Sequence, residues 1–235
     1  MILYLSQSTL PAFNLAVEDY FFCSVQEEIL FLYVNEPCVV IGCNQVLEAE
    51  VDAEFCKHNN IPVFRRKSGG GAVYHDTGNL NYCFISNRIT GKSVLGNDFL
   101  QPIVSVLAEL NIDVLIGKRK DLWLPDEFKI SGTASHITKN RELHHGTLLY
   151  DSDLEILTKS LSAKQLEIKL KGIASVPSPV KNIRAYLSDQ NKPTPTFTVF
   201  FEMMTQKLLK YYELESVSIF NNDDITEIQP LKLPI

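Results

Sequence analysis

The segment Arg65-Arg66-Lys67-Ser68-Gly69-Gly70-Gly71-Ala72-Val73-Tyr74-His75-Asp76 constrains the possible folds of this chain more than any other. Three contiguous glycines separate two apolar runs, Ile61 to Phe64 and Ala72 to Tyr74. Glycine has no Cβ, so the backbone there can turn through positive φ and press close to a ligand. Successive exposed N–H groups form a concave donor surface suited to an anion. Two arginines at one lip add charge-assisted contacts to phosphate or carboxylate. Taken alone, such a turn is most often a β-hairpin tip with solvated arginines. It is neither a P-loop nor a dinucleotide fingerprint. No Gly-x-x-x-x-Gly-Lys-Ser/Thr occurs, and the glycines are not spaced as Gly-x-Gly-x-x-Gly.

With 235 residues, 45% of them hydrophobic, the chain suffices for one well-packed domain. The formal net charge of −6 argues against a nucleic-acid binder, which carries a basic excess. Cys23, Cys38, Cys43, Cys56 and Cys83 are odd in number and form no Cys-x-x-Cys pair. They read as reduced thiols of a cytoplasmic protein rather than a disulfide framework or a zinc site. The N-terminus lacks a signal-peptide pattern, and no apolar run approaches the roughly 18 residues of a membrane span.

Apolar periodicity predicts helices over Phe13–Phe22, Leu47–His58, Phe99–Leu110, Asp153–Leu161 and Phe197–Tyr212. Short β-branched and aromatic runs predict strands at Ile2–Leu5, Ile61–Arg66, Leu80–Ile85, Val114–Ile116, Asp121–Leu124, Phe128–Ser131, Ala134–Ile137, Gly146–Tyr150 and Ser216–Phe220. Ile29–Val34 and Cys38–Ile41, broken at Asn35-Glu36-Pro37, are expected to form a hairpin. Ala174–Pro195 is proline-rich and reads as a loop-rich connection with limited helix. Numerous strands interrupted irregularly by helices indicate an α+β fold with a mixed, mainly antiparallel β-sheet flanked by helices.

Three further segments carry chemistry. In Phe128-Lys129-Ile130-Ser131-Gly132-Thr133-Ala134, alternation puts Lys129 and Ser131 on one face. Lys129 is then either a surface lysine or a fixed cation aimed at a phosphate or developing oxyanion. His144 and His145 are adjacent on a strand, face opposite ways and cannot easily share a metal ion. One of them is free to bond a substrate or an active-site loop. Lys169-Leu170-Lys171-Gly172-Ile173-Ala174-Ser175-Val176 is either a solvated loop or a flap over a charged ligand. Asp121, following Lys118-Arg119-Lys120, is either a loop cap or a carboxylate near Mg²⁺ or phosphate.

Together these segments resemble the lipoate–protein ligase A family of the biotin/lipoate protein ligase superfamily. The likeness rests on Arg65-Arg66-x-Ser68-Gly69-Gly70-Gly71-Ala72-Val73-Tyr74-His75-Asp76-x-Gly78-Asn79 and on Lys129-Ile130-Ser131-Gly132-x-Ala134. It also rests on His144-His145-Gly146-Thr147-Leu148-Leu149, on Lys171-Gly172-Ile173-x-Ser175-Val176 and on Asn14-Leu15-Ala16-x-Glu18. The resemblance implies a class II aminoacyl-tRNA synthetase/biotin protein ligase-like fold. It also implies two half-reactions: lipoate and Mg-ATP give lipoyl-AMP and pyrophosphate, and a lysine of a lipoyl domain then attacks the mixed anhydride.

On this likeness Lys129 is the catalytic residue. Arg66, Ser68, Gly69, Gly70, Gly71, Ala72, His75, Asp121 and Lys129 form the nucleotide and acyl-adenylate site. Arg65, His145, Gly172 and Ser175 are expected against lipoate, and Asp121 is the Mg²⁺ position. The implied substrates are ATP with Mg²⁺ and lipoate. The implied acceptors are lipoyl domains of 2-oxoacid dehydrogenase E2 subunits and the glycine cleavage H protein, with no nucleic-acid or membrane partner. Residues 1–235 are expected to be the catalytic domain without the C-terminal accessory domain, and a separate accessory protein is a candidate partner. Two positions depart from the family pattern: Lys120 where asparagine is usual, and Pro179 after Ser178 where arginine is usual. The alternatives are a lipoyl- or octanoyltransferase without the adenylation step, a biotin protein ligase and a non-catalytic binder. The first uses a cysteine near or after the lysine motif, and every cysteine here lies at or before Cys83. The second lacks its Gly-Arg-Gly-Arg-x-Gly-Arg loop.

Overall fold

In a computed structural model, residues 1–88, 99–162, 174–220 and 234–235 are described. The elements run β1 (Ile2–Ser6), α1 (Pro11–Ser24), β2 (Ile29–Tyr33), β3 (Cys38–Ile41), α2 (Leu47–Glu50), α3 (Ala53–His58), β4 (Val63–Arg65), β5 (Val73–His75) and β6 (Asn79–Asn87). They continue with α4 (Gln101–Glu109), β7 (Leu115–Ile116), β8 (Leu122–Trp123), β9 (Lys129–Ser131), β10 (Thr133–Ile137), β11 (Arg141–Leu149), α5 (Leu154–Ser160), α6 (Ile183–Asp189), α7 (Phe197–Tyr211) and β12 (Ser218–Phe220).

The strands fall into one six-stranded sheet, ordered β10-β11-β6-β2-β1-β12, and two three-stranded sheets, β4-β3-β5 and β7-β8-β9. Antiparallel pairings outnumber parallel ones, which occur at β1–β2, β1–β12 and β3–β4. The expected α+β class and mixed, mainly antiparallel pairing are found, with the strands divided among three sheets.

Alternation along β2 explains how the large sheet is covered. Leu30 and Leu32 join Ile103, Val106 and Leu107 of α4 and Phe200, Met204 and Leu208 of α7 in one apolar cluster. Ile29, Phe31 and Tyr33 meet Phe13, Val17 and Phe21 of α1 in another. Successive strand side chains point to opposite faces, so both faces of the sheet are covered. No helix among the described residues is long and apolar enough to cross a membrane.

Three expectations need correction. β2 and β3 do not form a hairpin: β2 pairs with β1 and β6, β3 with β4 and β5. All residues of both strands are buried, so each needs neighbours on two sides. The corner between them is tied to α1, where the Asn14 amide donates to Val34 O and Asn35 Oδ1. Leu47–His58 is two short helices, because Val51 packs into the core of the small sheet and Asp52 caps α3 by accepting from Phe55 N. The glycine turn is not a hairpin tip either. β4 and β5 flank β3 on opposite sides, so the loop crosses the end of β3.

Candidate active site

The crossing loop is built around two glycines and one arginine. Gly42 directly follows β3, and a Cβ there would overlap the Gly70 carbonyl oxygen. Gly70 has φ +86°, a left-handed conformation that L side chains resist. Beneath the loop, Arg66 is 5% exposed. Its Nη2 donates to the carbonyls of Gly69 (2.6 Å) and Gly71 (2.7 Å), Nη1 to Val40 O (3.0 Å) and Nε to Ser68 Oγ (2.9 Å). In a trans peptide the next N–H points opposite to the carbonyl. The N–H groups of Gly70 and Ala72 therefore face away from Arg66. Burial pulls the Arg66 pKa down to about 10 against the pull of Glu18, so it stays charged at neutral pH.

Beyond the loop lies a cavity of about 390 Å³, a size suited to a small-molecule ligand. Gly70 to Val73 form one wall, and Ala174 to Val176 contribute from a second segment. Its floor crosses the large sheet along the register Tyr33–Asn81–Thr147, then Gly146–Thr133. Three inter-strand steps of ~4.8 Å make that floor about 14 Å long. Near the β2 end, Leu15, Tyr33 and Val40 supply apolar surface, with His75 and Asn81 beside them. Past β10, the cavity reaches Arg119, Asp121 and Lys129.

That second end is charged and held firmly. Lys129 Nζ lies 3.3 Å from Asp121 Oδ2, and Arg119 Nη2 lies 3.8 Å from the same oxygen. Burial lowers the Lys129 pKa, and Asp121 opposes this. Burial raises Asp121, but the Trp123 indole N–H and the Lys129 ammonium outweigh it and hold the carboxyl below its usual range. The Lys129 backbone is zippered to the segment before α6: Lys129 N donates to Pro179 O, and Lys181 N to Lys129 O. Further along this strap, Ser175 Oγ accepts from Ala72 N (2.9 Å) and Gln45 Nε2 (3.1 Å), while Ser175 N donates to the buried Glu50 carboxylate.

A buried polar chain backs the loop. Glu18 accepts from Tyr33 OH (3.0 Å) and from His145 Nδ1 (2.9 Å to Oε2), and His145 Nε2 lies 2.7 Å from Ser68 Oγ. With Nδ1 donating to Glu18, the Nε2 of a neutral His145 accepts a hydrogen bond from the Ser68 hydroxyl. Ser68 is 2% exposed and already accepts from Arg66, so this chain anchors the loop and does not present a nucleophile. Cys83 lies close enough to Glu18 and His145 for the three to hold a metal ion. Burial, then Glu18, push its thiol pKa well up, which leaves no ready thiolate ligand. His75 is anchored separately, with Nδ1 3.0 Å from Asn35 Nδ2. Burial, then the Arg66 charge, push its pKa down to about 3.

The model of the lipoyl protein ligase A/B catalytic domain matches residues 10–209. The chain belongs to this family. It is 35% identical over 225 residues to lipoate-protein ligase LplJ of Bacillus subtilis, covering 95% of this chain and 63% of that protein. It is 36% identical over 219 residues to the human mitochondrial lipoyl amidotransferase LIPT1, covering 91% of this chain and 57% of that protein. The crystal structure of Plasmodium falciparum LipL1 in complex with lipoate superposes with a TM-score of 0.76 at 26% identity, covering 94% of this chain and 66% of that one. The chain thus spans less than two-thirds of the length of each of these relatives.

Several candidate residues of this lipoyl ligase catalytic domain are gathered at the cavity. Arg66, Gly70, Gly71, Ala72, His75, Asp121, Lys129, His145 and Ser175 all line it. Ser68 and Gly69 lie behind the wall, bonded to Arg66. Arg65 is turned elsewhere: its Nη1 donates to Gly42 O (2.9 Å) and Gln45 O (2.8 Å), so it braces the loop after β3 and does not line the cavity. Gly172 and the neighbouring residues up to 173 lie outside the described residues. In place of the expected lip of two free arginines, Arg66 is bonded throughout its guanidinium to the loop and to Val40 O, and Arg65 gives its Nη1 to backbone carbonyls. Asp121 does not form a protein-held Mg²⁺ site, since its one carboxylate is already shared by two cations and an indole N–H.

Sequence reading missed Gly42, Gln45, Glu50, Asn35 and the anchoring role of Glu18. One signal was present. Asn14 and Glu18 are polar residues four apart in a mainly apolar helix, and both are buried. Such a pair stacks on one helix face and needs polar partners inside.

Proposed function

We propose that this chain is the catalytic unit of a lipoate–protein ligase. One observation carries the reading: a single cavity joins an apolar end, a glycine loop that turns its Gly70 N–H away from Arg66 and a largely buried Lys129–Asp121 pair. The apolar end suits the aliphatic tail and dithiolane of lipoate, leaving its carboxylate toward Lys129. Lipoate and ATP are both anions, so their approach needs fixed positive charge and N–H donors. Lys129 and the Gly70 amide supply these in a partly desolvated setting, where such groups act most strongly, while the Ala72 amide is engaged by Ser175 Oγ.

In the first step a lipoate carboxylate oxygen attacks the ATP α-phosphorus. Its P–O bond forms, the bond to the β-phosphate oxygen breaks, and pyrophosphate leaves with Mg²⁺ carried on the nucleotide. In the second step the lysine amine of an acceptor lipoyl domain attacks the acyl carbon. The amide forms, AMP leaves with the anhydride electron pair and the ammonium proton passes to solvent. Lys129 would bridge the acyl oxygen and the phosphate in both steps. The candidate acceptors are E2 lipoyl domains and the glycine cleavage H protein. Another protein supplying accessory-domain contacts remains part of the proposal.

The amidotransferase relative favours a second reading, transfer without adenylation. No cysteine lines the cavity, so a cysteine acyl-enzyme has little support, while use of preformed lipoyl-AMP fits the same residues. The test is incubation with lipoate, Mg-ATP and a purified lipoyl domain, followed by mass spectrometry of the acceptor. A parallel reaction supplies synthetic lipoyl-AMP. Acceptor labelling in both supports the ligase, labelling only with lipoyl-AMP supports the transferase, and labelling in neither overturns both.

A further inference from the structure

We infer that His75 is a specificity-determining residue: held as its Nε2–H tautomer by Asn35 and Asn14, it presents one fixed donor at the apolar end of the cavity. That donor favours an acyl tail bearing an acceptor atom, such as a ring sulfur, over a plain alkyl tail. This rests on the acyl-ligase reading of the same cavity and deepens it.

The argument starts from two backbone carbonyls, which only accept. Asn14 Nδ2 lies 2.9 Å from Ser8 O and 3.1 Å from Val34 O, so that atom is the amide nitrogen and not the oxygen. Asn14 Oδ1 consequently accepts from Ser6 Oγ at 2.6 Å. The same Asn14 nitrogen lies 2.8 Å from Asn35, and an NH₂ there would set donor against donor, so Asn35 turns its Oδ1 toward it and shares one of the two hydrogens. Asn35 then has only its NH₂ group left for His75 Nδ1, 3.0 Å away. A hydrogen on Nδ1 would face another hydrogen, so Nδ1 is the acceptor and the ring proton sits on Nε2. Asn14 and Asn35 are fully buried and His75 is 4% exposed, so water has little access to exchange these partners.

His75 nevertheless forms part of the cavity wall, together with Leu15, Tyr33 and Val40. Protonation of the ring is opposed chiefly by its burial and then by the Arg66 charge, with Glu18 pulling the other way and His145 adding least. The donor is therefore the same over the whole neutral range. A tail ending in hydrocarbon would cover Nε2–H and leave it unpaired, whereas a dithiolane sulfur accepts from it weakly. Sites built to pair a polar group discriminate against analogues that lack it. Asn14 and Asn35 are positioning residues, since they act through the imidazole.

The first experiment needs no substrate. A long-range ¹H–¹⁵N correlation spectrum of the ¹⁵N-histidine-labelled full chain at pH 7 should show one residue, absent in His75→Gln, as the neutral Nε2–H tautomer. An Nδ1–H or imidazolium pattern at His75 overturns the inference. The second measures kcat/KM for lipoate and for octanoate with one acceptor domain. Wild type should prefer lipoate by about tenfold, the scale of one lost buried hydrogen bond. His75→Gln, whose amide reaches the Nε2 position, should keep most of that ratio, and His75→Asn, which reaches only the Nδ1 position, should bring it near one. An unchanged ratio in His75→Asn overturns the inference while leaving the ligase reading intact. If neither acid is transferred, the ligase reading fails, and calorimetric binding of the two acids to wild type then decides: equal affinities overturn the inference. If the His75 variants do not fold, the wild-type spectrum and the wild-type ratio still decide it.

Discussion

Gly42 and Gly70 are packed so closely that the carbonyl oxygen of one occupies the space a side chain on the other would need. The end of β3 thereby sets the height of the crossing loop. Gly42→Ala should push the loop toward the cavity, with a stability loss of about 1–3 kcal/mol, as for other overpacked sites. Weakened adenylate binding by calorimetry, with an unchanged far-UV spectrum, is the expected result. Wild-type affinity in this variant would show that the loop position does not matter.

Arg66 holds the loop from below by four hydrogen bonds spread over Val40, Ser68, Gly69 and Gly71. Lysine keeps the charge but has no planar fork. Arg66→Lys should lose about 2–4 kcal/mol in urea unfolding, because buried carbonyls lose their donors. A loss below that of a typical surface substitution would contradict the structural role.

Lys129 and Asp121 should separate kinetically. Lys129→Ala is expected to lower acyl transfer by about 100-fold or more, on the scale of removing one oxyanion-stabilising donor, with the fold retained. Asp121→Asn is subtler. Burial lowers the Lys129 pKa and Asp121 opposes it, so losing the carboxylate lets burial dominate. The alkaline limb of the pH–rate profile should then move to lower pH than in wild type. An unmoved limb would mean that the ammonium is not needed in its charged form.

His75 predicts an acid sensitivity. In the unfolded chain it takes a proton near its ordinary pKa of about 6.5, whereas folding pushes it down to about 3. Between these values the unfolded state binds more protons, so stability rises with pH and falls as pH drops. The loss from this group should be about 2 kcal/mol between pH 7 and pH 5. His75→Gln should flatten the slope of unfolding free energy against pH in that window by about one proton. The same slope in both proteins would place the acid sensitivity elsewhere.

Elements with strong local signals were readable in the sequence, and the partners of those elements were not. The helical spacing of Phe13, Val17 and Phe21 and of Ile103, Val106 and Leu107 matches α1 and α4. Ile29–Tyr33 and Cys38–Ile41 were recognisable as strands, yet their assignment to different sheets depends on burial on both faces and on contacts with α1. The same division holds at the site. Ser68 to Gly71 and Lys129 stand out by residue type. The chain from Glu18 to His145 joins positions 127 residues apart, and no local pattern records it. Arg65 shows the reverse case: its place in the motif suggested a ligand contact, but its Nη1 donates to carbonyls at Gly42 and Gln45 and it does not line the cavity.

The passage of the glycines across the end of β3 restricts how the site can adapt. A hairpin tip can swing about its two strands, but a strap stitched to both flanks of a central strand cannot lift without unzipping one of them. On the proposed function, a nucleotide would meet this fixed loop on one side and, on the opposite wall, Ser175, which touches the glycine side through its hydroxyl and the Ala72 amide. The two walls are thus anchored differently, one by strand pairing across β3 and the other by side-chain bonds from Gln45 and Glu50 to Ser175.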